Sequence, residues 1–373
     1  MMKPVRPVIR ATRAVIDLNA ISHNIAEIRK KIGSKRSLMA VVKADGYGHG
    51  AIEVGSTALR SGADCLGVAL PEEGEQLRNA GIDNPILVLS PIQPGEAYKI
   101  IGNRLEQALC SLQLAEALDH AARKNATRVN IHIKIDTGMG RIGLKSTDAL
   151  SFIRRLSRLK NIDIAGIFSH FSCADESDKD FSFKQIRFFN EITGEIEASG
   201  IKIPKKHLAN SAGVLALPGS YYDLVRPGIM IYGLYPSPEV KRSIKLKPAM
   251  MLRSKISHLK LTPGGTPISY GRTFYTNGDS VVATLPMGYA DGYSRQLSNQ
   301  GYVVVKGQRA PIIGRVCMDM CMIDVSKVKN VLPGDDVTVF GDDPSIDEIA
   351  IRMGSINYEV VCSVGKRVPR IYL

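Results

Sequence analysis

Between residues 38 and 226, eight short apolar runs recur, at 38–43, 65–69, 86–89, 108–110, 129–135, 164–169, 207–209 and 224–226. Most are separated by helical segments, among them 51–59, 72–80, 112–123, 149–159 and 183–199. Strand-length runs alternating with helices build parallel βα units, and eight in succession argue for a (β/α)8 barrel of the TIM type. This constrains where chemistry can sit, because the carboxyl ends of all the strands open on one face. Polar residues gather at those ends: Lys43, the stretch from Asp136 to Arg141, His170, Asn210 with Ser211, and Arg226.

Ahead of the first run, a short strand at 14–18 precedes a helix at 20–32. Ile21, Ile25, Ile28 and Ile32 share one face of that helix, and Asn19 is placed to cap it. Beyond Tyr235-Pro236-Ser237-Pro238 the pattern changes to shorter alternating runs at 254–261, 281–285, 302–305, 322–325 and 337–340, punctuated by Pro263-Gly264, Asn277-Gly278 and Pro333-Gly334. The expected class is α/β: a barrel over 1–240, then a mostly β-strand domain over 241–373, with the first strand, about 10–18, free to join the β domain. The 373 residues accommodate both, since a barrel takes about 250.

Composition narrows the partners. The longest apolar runs fall far short of the roughly 20 residues that cross a bilayer, so no membrane helix is expected. Residues 1–15 are basic but broken by Pro4 and Pro7 and lack the apolar stretch of a secretory signal, which predicts a cytoplasmic protein. A net charge of +13 could mean nucleic acid, yet the Lys and Arg residues are scattered and no nucleic-acid motif accompanies them, so solvated faces are expected instead. Six scattered cysteines suggest a reducing compartment, and Cys317 with Cys321, lacking a second pair, is not expected to hold zinc or another metal.

The first barrel run leads into Lys43-Ala44-Asp45-Gly46-Tyr47-Gly48-His49-Gly50. Glycines at 46, 48 and 50 let the backbone turn sharply and approach a ligand. A lysine at the end of a buried strand is costly unless it faces a cleft or is neutral, and a partly desolvated amine is the usual captor of carbonyl groups. On these residues alone, a salt-bridged surface lysine is an equal alternative.

The ordered motifs AVVKADGYGHG, HIKIDTGMGRIG, FSHF, HLANSAG, LVRPGIMIYGLYPS, ISYGRTF, GYADGYSR, GRVCMDM and INYEV cover nearly the whole chain and resemble the alanine racemases, enzymes of fold type III that depend on pyridoxal phosphate (PLP). The resemblance implies interconversion of L- and D-alanine, supply of D-alanine for peptidoglycan, and a homodimer with active sites shared between subunits. It implies that Lys43 carries PLP as a Schiff base. Tyr47, Ser211 beside Asn210, Gly228, Ile229 and Tyr358 match residues around the cofactor's phosphate. Arg226 matches the arginine against the pyridine nitrogen, and His207 and His170 match the histidines that support it and pack beside the ring. An always-charged guanidinium there keeps the nitrogen unprotonated, so the ring is a weaker electron sink and transamination is discouraged.

By the same resemblance, Arg141 engages the substrate carboxylate and the cofactor's phenolic oxygen. Lys134 matches a position that is often carbamylated; an unmodified lysine paired with Asp136 is the alternative. Met318, with Asp319, matches the loop whose backbone N–H binds the substrate carboxylate, and Tyr289, Asp291 and Arg295 match residues of the access corridor. A base on one face of a planar intermediate returns a proton only to that face, so inversion needs a second base opposite. Tyr270 matches it; tyrosine ordinarily titrates at about 10 and needs help, which the family pattern provides as an adjacent histidine. In the family, Tyr270, Met318 and the corridor come from the partner subunit.

Three alternatives share parts of this pattern. A broader-specificity amino-acid racemase is opposed by Tyr270, Tyr289 and Tyr358, which together narrow the access. A decarboxylase of similar fold generally places a glutamate where Arg226 stands, and a non-catalytic PLP carrier of the same barrel lacks the β domain.

Overall fold

The computed structural model describes residues 10–373; residues 1–9, the head of the segment read above for a secretory signal, lie outside the described residues. It divides into two compact units, Asn19–Lys247 and a second formed by the described residues up to Leu18 together with Pro248–Leu373.

A first strand, β1 (Arg13–Ile16), belongs to the second unit, while the eight apolar runs are the eight strands of the first: β2 (Ser37–Val41), β3 (Cys65–Val68), β4 (Ile86–Val88), β5 (Glu106–Leu109), β6 (Val129–Lys134), β7 (Ile162–Phe168), β8 (Lys206–His207) and β9 (Leu224–Val225). They pair in parallel in the order β8-β7-β6-β5-β4-β3-β2-β9. The two ends are joined by the Asp223 N–H to the Lys206 carbonyl (3.1 Å) and the Arg226 N–H to the Ala209 carbonyl (2.9 Å). Strands such as β3 and β4 are buried along their whole length, which is why they read as unbroken apolar runs and not as alternating ones.

Around the barrel run the helices Ala51–Arg60, Pro71–Asn79, Leu112–Lys124, Ser146–Leu156 and Asp180–Ala198. The helix Leu18–Ile32 buries Ile21, Ile25, Ile28 and Ile32, each contributing about 1.5–3 kcal/mol relative to exposure. Asn19 lies inside its first turn and does not precede it as expected, because β1 releases the chain at Ile16 and the helix begins at Leu18. Lys43 also stands two residues beyond its strand: Val42 leaves extended geometry at φ −118°, ψ 18°.

In the second unit, β1 pairs antiparallel with β10 (Met250–Lys255) and, at the other edge, parallel with the last strand, Arg370–Tyr372. The run read as one strand over 254–261 is two, β10 and β11 (His258–Thr262). The chain changes partner between them: the Ile256 N–H donates to Asp335 and the Ser257 N–H to Thr284. After the short hairpin β12 (Pro267–Ile268) and β13 (Phe274–Tyr275) come β14 (Ser280–Leu285), β15 (Tyr302–Val305), β16 (Gln308–Ile313), β17 (Cys321–Asp324), β18 (Asp336–Phe340) and β19 (Arg370–Tyr372). The sheet order is β11-β14-β17-β16-β15-β18-β10-β1-β19. Two short helices, Ile346–Met353 and Asn357–Cys362, were not foreseen from the sequence, and the second carries Tyr358.

Candidate active site

Every residue from Ala44 to Gly48 has positive φ, at 53, 52, 60, 51 and 79°. The segment after Lys43 is therefore a left-handed turn, closed by Gly46 N–H to the Val42 carbonyl (2.8 Å) and Gly48 N–H to the Ala44 carbonyl (3.0 Å). Glycines absorb this freely, but Ala44, Asp45 and Tyr47 each cost about 1–2 kcal/mol in that region. The offsets are visible. Asp45 accepts from the Ala51 N–H (3.0 Å), the Tyr47 ring packs on Tyr232 with centroids 4.9 Å apart, and Glu73 accepts from the Ala44 N–H (2.6 Å). Glu73 also takes the Ala69 and Leu70 N–H groups (2.7 and 3.2 Å), clamping the loop after β3 to the one that carries Lys43. Its capping position, three residues after Leu70, was the only signal in the sequence.

Opposite that turn, the Ser211 hydroxyl accepts from the Gly228 N–H (2.9 Å) and the Met230 N–H (3.5 Å), which leaves its own O–H to donate. Asn210 caps the following helix by accepting from the Gly213 N–H (3.0 Å). A Cβ at position 228 would come within 2.4 Å of the Tyr47 hydroxyl, so only glycine lets that phenol approach the backbone. Tyr47, Ser211, Gly228 and Ile229 thus form a cradle of hydroxyls and backbone next to the Lys43 turn, and its donors fit an anionic group such as the phosphate of PLP. Tyr358 belongs to the other unit.

Arg226 follows β9 and is buried. Its Nη1 donates to His207 Nδ1 (2.8 Å); its Nη2 lies 2.7 Å from the Ser169 carbonyl and 3.3 Å from both the Leu208 carbonyl and His170 Nδ1. Burial lowers its pKa to about 9, so it remains charged at neutral pH. Burial first, then the Arg226 charge, holds both His207 and His170 well below the usual histidine range and hence neutral. Phe168, which sequence reasoning missed, stacks on His207 at 4.7 Å and lies under the Arg226 guanidinium at 5.1 Å.

Asp136 accepts from the Gly138 and Met139 N–H groups (2.9 Å each) and the Gly140 N–H (3.0 Å), which shapes the loop that presents the exposed Arg141. Although burial raises the Asp136 carboxyl, those N–H donors hold it below its ordinary value. With Asp136 occupied by its own loop, Lys134 sits over the Phe168 ring, 4.7 Å from the centroid. Burial, then Arg226 and Arg141, hold the Lys134 amine well below its usual range. Gln185 was also missed: it joins this loop to the next by donating to Thr137 (3.2 Å) and the His170 carbonyl (3.0 Å).

The second unit carries its own candidates. The Ser269 hydroxyl donates to the Arg315 carbonyl (2.6 Å), fixing the turn that projects Tyr270 next to the segment with Met318. Tyr270 is 72% exposed and Met318 53% exposed, both on a shallow concavity of about 580 Å3 that also includes Asp319, Cys317 and His258. Tyr289 and Arg295 are exposed as well, but Asp291 is fully buried. Its carboxylate meets Arg10 (2.5 Å), Arg367 (2.7 Å) and the Gly288 N–H (3.1 Å), while Arg367 also reaches Asp319 (2.5 Å). Asp291 therefore supports the Tyr289 segment from beneath.

Residues 16–236 match the family model described as alanine racemase, N-terminal domain, and residues 249–372 match alanine racemase, C-terminal domain. The alanine racemase of Desulfovibrio desulfuricans is 44% identical over 98% of this chain and 98% of its own length. Among solved structures, alanine racemase from Clostridium difficile 630 superposes with a TM-score of 0.95 at 36% identity, covering 98% of this chain and 96% of that one. Alanine racemase from Bacillus anthracis with bound L-Ala-P gives a TM-score of 0.93 at 35% identity, covering 99% and 96%.

Proposed function

Because the chain belongs to the alanine racemase family, we propose that it is an isomerase that interconverts L- and D-alanine with two bases, on a cofactor held at the carboxyl end of its barrel. The observation that carries the reading is the buried Arg226, charged, donating to a neutral His207, in a barrel mouth that also holds Lys43 and the Tyr47–Ser211–Gly228 cradle. Bound pyridoxal phosphate would supply an electron sink that weakens the Cα–H bond of the substrate amine. Lys43 would hold that cofactor, with Tyr47, Ser211, Gly228, Ile229 and Tyr358 at its phosphate and His170 beside its ring.

Arg226 can only donate, so it leaves the ring nitrogen without a proton. Arg141 and the Met318 N–H hold the substrate carboxylate. Lys43 Nζ moves the α-proton on the face of D-alanine, and Tyr270 Oη moves it on the face of L-alanine. Carbamylation of Lys134 is supported by its surroundings: burial beside Arg226 and Arg141 favours the uncharged form of the amine, the form that adds to carbon dioxide, and the carbamate left once the proton is lost to solvent is an anion that both cations favour.

We place the product in peptidoglycan synthesis and the protein in the cytoplasm; among the described residues no helix is long and apolar enough to cross a membrane. The test is to give the PLP-loaded protein L-alanine, L-serine and larger L-amino acids and to follow chirality and gas release. Alanine should lose optical rotation without releasing carbon dioxide, and larger side chains should react far more slowly. Comparable rates across the panel would make it a broad racemase, and binding of PLP without turnover would make it a carrier.

The exposure of Tyr270 and Met318 supports a homodimer in which one copy supplies them to the other's barrel, because a base and a carboxylate-binding N–H act best when shielded from water. Mixing Lys43→Ala protein with Tyr270→Ala protein, each inactive, is expected to restore roughly a quarter of wild-type activity after subunit exchange: half the dimers are mixed and each has one intact site. No recovery after exchange verified by mass would place both bases in one chain.

A further inference from the structure

A line of side chains leads from Arg226 into the barrel. His207 Nε2 lies 2.8 Å from His132 Nδ1, and His132 Nε2 lies 3.1 Å from Glu106 Oε2. The ends of the line dictate its protons. A guanidinium only donates, so His207 Nδ1 accepts from Arg226 and the His207 proton sits on Nε2. That N–H donates to His132 Nδ1, so the His132 proton is on its own Nε2 and is donated to the Glu106 carboxylate. With the opposite tautomer, His207 would set an N–H against the Arg226 N–H at 2.8 Å, and the guanidinium would have to move.

The surroundings are built for this line. His207 is 0% exposed and His132 3%. Glu106, the first residue of β5, is held a second time by Asn130 (3.1 Å). Burial raises the Glu106 carboxyl, but the hydrogen bonds from His132 and Asn130, with the Lys205 charge, keep it below its ordinary value and therefore ionised. On β7, a Cβ at Gly166 would come within 2.7 Å of His132 Nδ1, so only glycine leaves room for the ring where it stands.

We propose that Glu106 and His132 are positioning residues: they lock His207 in the tautomer that accepts from Arg226, and thereby fix the guanidinium assigned to the cofactor's nitrogen. The proposal rests on the racemase reading for its purpose but not for its test. In protein labelled with 15N-histidine, both rings should appear as Nε2–H tautomers by long-range proton–nitrogen correlation, with PLP bound and after its removal. Glu106→Leu should turn His132 and His207 into tautomer mixtures and lower kcat/KM roughly tenfold, whereas Glu106→Gln, whose oxygen still accepts, should keep both tautomers and most of the activity.

An Nδ1–H tautomer at either ring in the wild type, or unchanged tautomers in Glu106→Leu, would overturn the proposal. Should Glu106→Leu fail to fold, the wild-type tautomers and Gly166→Ala, which pushes the His132 ring away, decide the matter by the same spectra. Correct tautomers in a chain without racemase activity would count against the function alone, and racemisation with the wrong tautomers against the positioning alone.

Discussion

Replacing Lys43 with alanine is expected to lower racemisation by at least about four orders of magnitude, because under the proposed function one change removes both the group assigned to hold the cofactor and one of the two assigned proton carriers. The fold should survive. Lys43 is only half-buried and follows β2 without contributing to its pairing, and the left-handed turn behind it is held by Asp45, Glu73 and Tyr232, none of which is altered. Circular dichroism should therefore match the wild type, while the visible absorption expected of PLP-loaded wild type should be lost on dialysis. A variant that kept more than a hundredth of the activity, or held PLP through dialysis and borohydride treatment, would remove Lys43 from its assigned role.

The second large effect concerns the opposite face. Tyr270→Phe removes one oxygen from a 72%-exposed side chain and leaves the Ser269–Arg315 hydrogen bond that shapes the turn, so its structural cost should be small. Its kinetic cost should be about 10²–10⁴-fold, the usual contribution of a positioned acid–base group. The loss should also be one-sided. Exchange of the α-hydrogen of L-alanine with deuterated water should collapse, while exchange of D-alanine, served by Lys43, persists and full inversion stalls. If nuclear magnetic resonance shows both enantiomers losing exchange equally, Tyr270 positions substrate or cofactor and is not a face-specific base.

The sequence by itself determined the barrel, because eight apolar runs separated by helices leave a chain few other ways to bury its strands on both faces. It also placed at strand ends and turns the residues that sit in contiguous motifs, such as Lys43 with its glycines, Asn210-Ser211 and Arg226-Pro227-Gly228, since strand ends and turns are local properties. It could not say that Ala44, Asp45 and Tyr47 would share the glycines' left-handed geometry, a conformation imposed by contacts with Glu73 and Tyr232.

Only the tertiary structure decided the partnerships between distant residues. Asp136 serves its own loop, and Lys134 lies over Phe168 under the influence of Arg226 and Arg141, where the sequence had left open a carbamylated lysine or a lysine paired with Asp136. Asp291, read as part of an access corridor, is buried between Arg10 and Arg367, and neither arginine is near it in the chain. Glu106 and Gly166 carry no motif of their own, and His132 opens the stretch HIKIDTGMGRIG without any role that the stretch assigns to it. They meet His207 because the parallel register of β5, β6, β7 and β8 brings four strands into line across the barrel interior. A hydrogen-bonded line of that kind depends on which residues share a level of the barrel, and that is set by strand stagger and closure rather than by any local pattern of residues.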